Sequence, residues 1–173
     1  MAIPTEEFLA QVAGLSKQIF SYARRSLFDP AEAEDVLADA VLAAWSERNA
    51  FQAGSSFKSW MYRIVLNKIY ATNRRHMLAA KASTRIAREG KRGTESAAAP
   101  NDADCSDEMK RALGRLNEAE REAFLLLSLG GLSYAEISQA TNAPVTTVIT
   151  RLGRARSKLK ACLHDEPGVR KGG

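Results

Sequence analysis

Between Gly90 and Ser106 the chain gives up large apolar side chains almost entirely, and that break constrains everything on either side of it. The stretch is made of Gly, Ser, Ala, Pro, Asp and a few cations. It has no face to bury, so it reads as a linker, reaching at most roughly 55–60 Å when fully extended. The 173 residues therefore divide into two halves, each the size of a small domain with a limited core. The expected division is a first domain over residues 1–89, a linker over 90–106, a second domain over 107–165 and a short tail over 166–173.

Both halves carry helical periodicity and no useful strand alternation, which predicts an all-α chain of two small helical domains joined by a flexible linker. Thr5 is placed to cap a first helix whose Phe8, Val12, Leu15, Ile19 and Tyr22 share one face. Asp29-Pro30 is the next start signal, since Asp caps well and Pro suits the first helical position. Val36, Leu37, Ala40, Val41, Ala44 and Trp45 line the second helix. A polar loop from Glu47 to Ser56, broken at Gly54, leads into a third helix near Phe57. Trp60, Met61, Ile64, Val65, Ile69 and Thr72 form its apolar stripe, and its far end turns basic.

The second half holds the more specific pattern. Asn117 to Glu120 reads as a cap, and Gly130-Gly131 ends the helix after it. Ser133 and Glu136 form a capping box for a short helix. The turn Asn142-Ala143-Pro144 then leads into a longer helix from Val145 to Leu163. Two helices across a tight turn make a helix-turn-helix, in which one helix enters a major groove about 12 Å wide and the other braces it. At about 100° per residue, Val145, Val148, Leu152, Ala155, Leu159 and Leu163 face a core. Thr146, Thr150, Gly153, Arg154 and Ser157 face away, flanked by Thr147, Ile149, Arg151 and Lys158. Hydroxyls and Arg can contact phosphates or base edges, and Thr or Ile methyls can touch a thymine methyl.

The first half adds a weaker signal. Phe51, Phe57, Trp60, Tyr62 and Tyr70 lie among Arg48, Lys58, Arg63, Lys68, Arg74 and Arg75. Aromatic faces stack on unpaired bases while cations follow the backbone. Trp60 sits at core spacing with Met61 and Ile64, and Phe57 suits either role.

Composition narrows the remaining classes. Hydrophobic content is 45% and charged content 26%, as in globular chains, and the formal net charge of +5 favours an anionic partner. No apolar run approaches the roughly 18 residues that cross a bilayer, and Met1 to Phe8 lacks a basic start, so the expectation is a cytoplasmic protein without membrane insertion. Cys105, Cys162, His76 and His164 are isolated, which gives no ligand set for zinc and no disulfide framework. No nucleophile-base pair, phosphate loop or cofactor motif is legible, so neither an enzyme nor a cofactor is expected.

Two stretches together resemble the sigma-70 superfamily, in particular its short extracytoplasmic-function (ECF) subfamily. Ala33-Glu34-Asp35-Val36-Leu37 through Trp45, then Phe51, Gly54 and Phe57-Lys58-Ser59-Trp60 through Asn67, resembles sigma region 2. Leu116 to Arg121, Gly131 to Ile137 and Pro144-Val145 through Arg156 resemble region 4. The resemblance implies partners and roles. Asp35, Asp39 and Trp45 would meet the β′ coiled coil of core RNA polymerase, and region 4 would rest on the β flap. Arg48, Asn49, Phe51, Ser55, Ser56, Phe57, Lys58, Arg63, Lys68, Arg74 and Arg75 would bind the −10 element. Thr146, Thr147, Ile149, Thr150, Arg151 and Arg154 would read the −35 element of promoter DNA. An anti-sigma factor would be a further partner, and the acids Glu95, Asp102, Asp104, Asp107 and Glu108 in and beside the linker could imitate nucleic-acid charge.

Four positions depart from the family's habit. Ala38 replaces a usual Gln, Ala43 a common basic residue, Ile149 a frequent Lys or Arg, and Gly153 a larger residue. They imply altered polymerase docking and promoter choice. Two other readings fit parts of the chain: a sigma mimic that binds an anti-sigma factor, and a helix-turn-helix regulator that does not act through polymerase.

Overall fold

The computed structural model describes residues 3–52, 54–89 and 106–164, without the side chains of 86–89 and 163. The expected linker up to residue 105 and the tail over 166–173 lie outside the described residues, as do Glu95, Asp102 and Asp104, whereas Asp107 and Glu108 are exposed in the first turn of a helix. Every regular element among the described residues is helical. Helices α1 (Thr5–Ser26), α2 (Ala33–Glu47) and α3 (Phe57–Glu89) make the first unit. Helices α4 (Asp107–Gly114), α5 (Glu118–Ser128), α6 (Tyr134–Thr141) and α7 (Val145–His164) make the second.

Helix α1 buries Phe8, Val12, Ile19 and Tyr22, as its spacing requires. It starts from Pro4 rather than from a Thr5 cap, and no side chain caps it. Its acids Glu6 and Glu7 at the start and Arg24 and Arg25 at the end suit the helix dipole instead. Asp29 does cap, accepting from the Ala31 amide at 3.0 Å, but the element it opens is a single 3-10 turn over Pro30–Glu32. α2 begins only at Ala33. Such tightened turns are common where a helix starts.

The long helix α3 is fastened to both neighbours. The Asn73 carboxamide accepts from the Phe28 amide at 2.9 Å and donates to the Ser26 carbonyl at 2.8 Å, closing off the end of α1. Glu32 receives Arg75 at 3.1 Å and His76 at 2.5 Å. Met61, Ile64, Val65, Ile69 and Thr72 are buried along the expected stripe.

The second unit owes its short helices to caps. Asn117 and Glu120 form a capping box at α5, and Ser133 and Glu136 form one at α6. Asn142 ends α6 in the left-handed region at φ 53°, a conformation that Asn tolerates. Leu126, Leu132, Ile137, Val148 and Leu152 fill the core. Val145, expected inside, is 41% exposed. Side chains lean towards a helix's N-terminus, so the first residue of α7 points past the bundle.

The two units pack on each other, α6 against α3 and α5 against α1. Tyr62 and Leu66, which the apolar stripe did not include, are buried as well, and the Tyr62 ring lies between Gly130 of the second unit and Tyr22 of α1, which it meets edge-on at 5.8 Å.

Candidate nucleic-acid interface

Helix α7 presents one face to the core and the opposite face to solvent. Val148, Leu152, Ala155 and Leu159 are buried, while Thr146, Thr150, Gly153 and Arg154 are exposed. Ile149 stands out at 50% exposure, and Thr147 and Arg151 are half-buried at the edges of the face. Thr146, Thr147, Thr150, Arg151 and Arg154 line one shallow cleft of about 300 Å³, whose other wall is Asn117, Ala119 and Glu120 at the start of α5. The sequence-derived reading set thus falls on one surface, except for Ile149 beside it. Helix α6 braces α7 from behind, and Arg156 of α7 lies over the Tyr134 ring at 5.9 Å.

Glu120 explains how the rest of α7 is held in place. Its carboxylate closes the α5 capping box and also takes the Lys158 ammonium at 2.7 Å. The Lys158 contact, helped by the Asn117 amide, keeps this carboxyl below the usual carboxylate range despite its burial.

The other sequence-derived set is dispersed in its surroundings. The Arg48 guanidinium lies 4.0 Å from the Trp45 ring centre and donates to the Trp45 carbonyl at 2.8 Å, so it finishes α2. Asn49 and Ser55 are exposed, and Ser55 donates to the Gln52 carbonyl at 2.7 Å. Phe51 is half-buried, with its ring 5.7 Å from Phe57 and 5.3 Å from Trp60. Phe57 itself is only 6% exposed and meets the Phe8 ring edge-on at 5.8 Å. Its ring stands in the core beneath the loop rather than on the surface. Lys68 is half-buried, and Arg74 and Arg75 are exposed further along α3.

Three members of this set are engaged by the second unit. The Ser56 hydroxyl donates to Glu136 at 3.0 Å. The Lys58 ammonium reaches the Gly131 carbonyl at 2.5 Å, and the Arg63 guanidinium donates to the Gln139 carbonyl. A fourth bond joins the Tyr70 hydroxyl to Glu122 of α5. Burial alone would raise Glu136, but the Ser133 amide, the Ser56 hydroxyl and Lys58 together hold it below the usual range. Glu122 goes the other way: desolvation raises it, against the pull of the Tyr70 hydroxyl and Arg151.

On α2, Asp35 and Asp39 are exposed as expected, and Trp45 is half-buried with its ring edge-on to Phe8 at 5.3 Å. Sequence reasoning passed over Leu42, which is 64% exposed. Its signal was available: it lies one helical step beyond Asp39 and off the apolar face. Ala38 is exposed beside these residues, whereas Ala43 is half-buried against the core.

Among the described residues no group of His, Cys, Asp and Glu could hold a metal ion. No described helix is long and apolar enough to cross a membrane.

Comparison with known proteins matches both units. Residues 12–77 match the family model described as Sigma-70 region 2, and residues 106–159 match that of Sigma-70, region 4. The RNA polymerase sigma factor NccH of Alcaligenes xylosoxydans xylosoxydans is 30% identical over 157 residues, covering 82% of this chain and 79% of that protein. The ECF RNA polymerase sigma factor SigC of Mycobacterium tuberculosis (strain CDC 1551 / Oshkosh) is 32% identical over 143 residues, covering 78% and 72%. Among solved structures, CnrH in complex with the cytosolic domain of CnrY aligns with a TM-score of 0.67 at 27% identity, over 94% of this chain and 92% of that one. The sigma factor RpoE in complex with the anti-sigma factor NepR from Bartonella quintana aligns with a TM-score of 0.68 at 26% identity, over 93% and 96%.

Proposed function

Because the chain belongs to the ECF subfamily of the sigma-70 RNA polymerase sigma factors, we propose that α2 joins it to core polymerase, the loop and α3 hold the −10 element, and α7 reads the −35 element. A sigma factor of this kind is a non-catalytic initiation subunit. It binds core RNA polymerase, directs it to promoters and supports DNA melting.

The observation that carries the assignment of parts is the α7 face. Thr146, Thr147, Thr150, Arg151 and Arg154 share one solvent-open cleft, while α6 and the Glu120–Lys158 pair hold the helix rigid. Arg154 at the centre of the face suits a guanine edge or a phosphate, and Ile149 suits a thymine methyl. On α2, Asp35 and Asp39 offer charge to a basic coiled coil, and exposed Leu42 beside Ala38 gives that contact an apolar centre. For the −10 strand, Asn49, Ser55, Lys58, Arg63, Arg74 and Arg75 supply donors and cations. Phe57 acts beneath them by fixing Phe51 and Trp60.

An anti-sigma partner belongs to the same reading, by analogy with the complexes of CnrH and RpoE. The site of action is the cytoplasm, where polymerase and promoters are. The linker over 90–106 would connect the two promoter-binding domains.

The test is transcription in vitro. The purified chain is added to core polymerase with a library of candidate promoters. Promoter-specific initiation is expected. Absence of any association with core polymerase would refute the assignment, as would tight binding to duplex operators without polymerase.

A further inference from the structure

Beside the cleft of threonines and arginines, helix α7 carries a second strip of different chemistry. Val145, Ile149 and Gly153 succeed one another at four-residue steps, so they share one stripe of the helix. Among the described residues, Val145 and Ile149 are the large apolar side chains that the second unit leaves exposed.

Gly153 continues the stripe as bare backbone. Nothing lies within 4 Å of where its Cβ would stand. At Gly130 a Cβ would meet the Leu126 carbonyl oxygen at 2.6 Å, so the fold itself requires that glycine. The fold makes no such demand at Gly153, although Gly lowers helix propensity. A side chain there would lean towards the helix N-terminus and cover the turn that carries Ile149 and Thr150. Its absence leaves the flank of Ile149 open to whatever approaches α7.

Thr150 adds to the apolar character. Its hydroxyl donates to the Thr146 carbonyl at 3.0 Å, within the helix. The donor is spent there, so a partner meets the Thr150 methyl and an acceptor oxygen.

The surroundings select the occupant. Arg151 and Arg154 stand on the other side of the same face, and Glu120, the acid in the cleft wall, is taken by Lys158 at 2.7 Å. A fitting partner presents anions and small apolar groups side by side. The major groove of DNA does so, with phosphates along its edges and the C5 methyls of thymine on its floor. About 6 Å of axial rise separates successive members of the stripe, against about 3.4 Å between base pairs, so they match methyls one or two steps apart.

We infer that the stripe reads thymine: Val145 and Ile149 each pack on a C5 methyl of the −35 element, and Gly153 lets the groove floor come against the backbone of α7. This role rests on the assignment of α7 to the −35 element. It adds Val145 and Gly153 to the reading surface and gives the two sides of α7 different tasks. The arginine side takes phosphate or guanine, and the stripe takes thymine.

The test uses the full chain with core RNA polymerase and a promoter that supports initiation. Each thymine of the −35 element, on either strand, is replaced in turn by deoxyuridine, which removes the C5 methyl and keeps the hydrogen-bonding edge. At two positions, promoter binding measured by competition should weaken by about fourfold, the effect of one buried methyl. Ile149→Ala should bind the thymine and uracil forms equally at one of these positions, and Val145→Ala at the other. Gly153→Leu places a good helix former in open space, so thermal stability should be kept while the thymine promoter binds about fivefold more weakly or worse. Equal affinity for the thymine and uracil forms at every position overturns the inference. So does a selected −35 element without thymine, a parental thymine preference in Ile149→Ala, or parental promoter binding by Gly153→Leu. Loss of core polymerase binding in Ile149→Ala, with thymine preference intact, would put a protein on the stripe instead. If initiation succeeds and uracil is tolerated throughout, only the thymine reading fails; if no promoter supports initiation, the functional reading falls and takes the stripe with it.

Discussion

The faces of α7 and α3 meet different surroundings in the same molecule. The α7 face is open: Thr146, Ile149, Thr150 and Arg154 all meet solvent. The α3 side is partly engaged: Ser56 just before the helix, and Lys58 and Arg63 on it, donate to the second unit. The difference arises from how each helix is supported. α7 is packed on one side only, so its other side is free for a groove. α3 is packed on two sides, by its own unit and by α6. One proposed DNA-binding surface is thus free in this fold, and part of the other is engaged by the second unit.

Gly130→Ala should strain this comparison most. A Cβ there would lie 2.6 Å from the Leu126 carbonyl oxygen and 2.8 Å from Leu132 Cδ1, and would press on Tyr62. The first of these is backbone and cannot give way cheaply. Destabilisation of about 1–3 kcal/mol is expected, read by denaturant unfolding. Normal stability would mean that the turn is looser than its geometry implies.

Arg154→Ala should separate the two faces. It lies at the centre of the open one, and its loss should weaken −35 recognition by about 1–3 kcal/mol while melting temperature stays unchanged. Promoter activity equal to the parent's would remove Arg154 from the reading set.

Acid should act on the two surfaces with opposite signs. Glu120 is held low by Lys158, so its contribution to the α7 support is complete above the ordinary value of 4.5 and is lost as pH falls through its lowered value. Lys158→Ala should lower the melting temperature at neutral pH, and the gap to the parent should close in acid. Glu122 is raised, chiefly by desolvation, among Tyr70 of α3, Arg151 of α7, Glu118 of α5 and Tyr22 of α1. Its protonated form suits the contact with Tyr70, so that contact should weaken as pH rises from 4.5 through the raised value. Melting temperatures of Glu122→Gln and the parent over a pH series check the sign: the variant should gain on the parent as pH rises.

The smallest effect is expected from Gly153→Ala. A Cβ there meets nothing within 4 Å, and Gly lowers helix propensity. The variant should gain up to about 1 kcal/mol in thermal stability, and a loss instead would mean that Gly153 has a backbone role in the solvent-facing surface.

Much of this was legible before any coordinates, for local reasons. Capping boxes act over three residues, so Asn117–Glu120 and Ser133–Glu136 announced α5 and α6 directly. A 3.6-residue period assigns one face of a helix, and among the described side chains it sorted α7 correctly except at Val145, where the helix end removed the packing partner; Leu163 lies outside them. The period failed on α3 because it reports one buried face. Tyr62 is inside because Tyr22 and Gly130 close on it from two distant segments, and no spacing within α3 encodes that.

Phe57 shows the same limit for a single side chain. An aromatic among cations can stack on a base or fill a core, and only the Phe8 ring beside it places it. The amino-acid sequence alone determined an all-helical chain in two units, the helix-turn-helix and the two faces of its second helix, because caps, turns and periodicity act over one or two helical turns. The tertiary structure decided which of the groups proposed to meet DNA are free, since Ser56 and Glu136 are eighty positions apart and their meeting depends on how the two units dock.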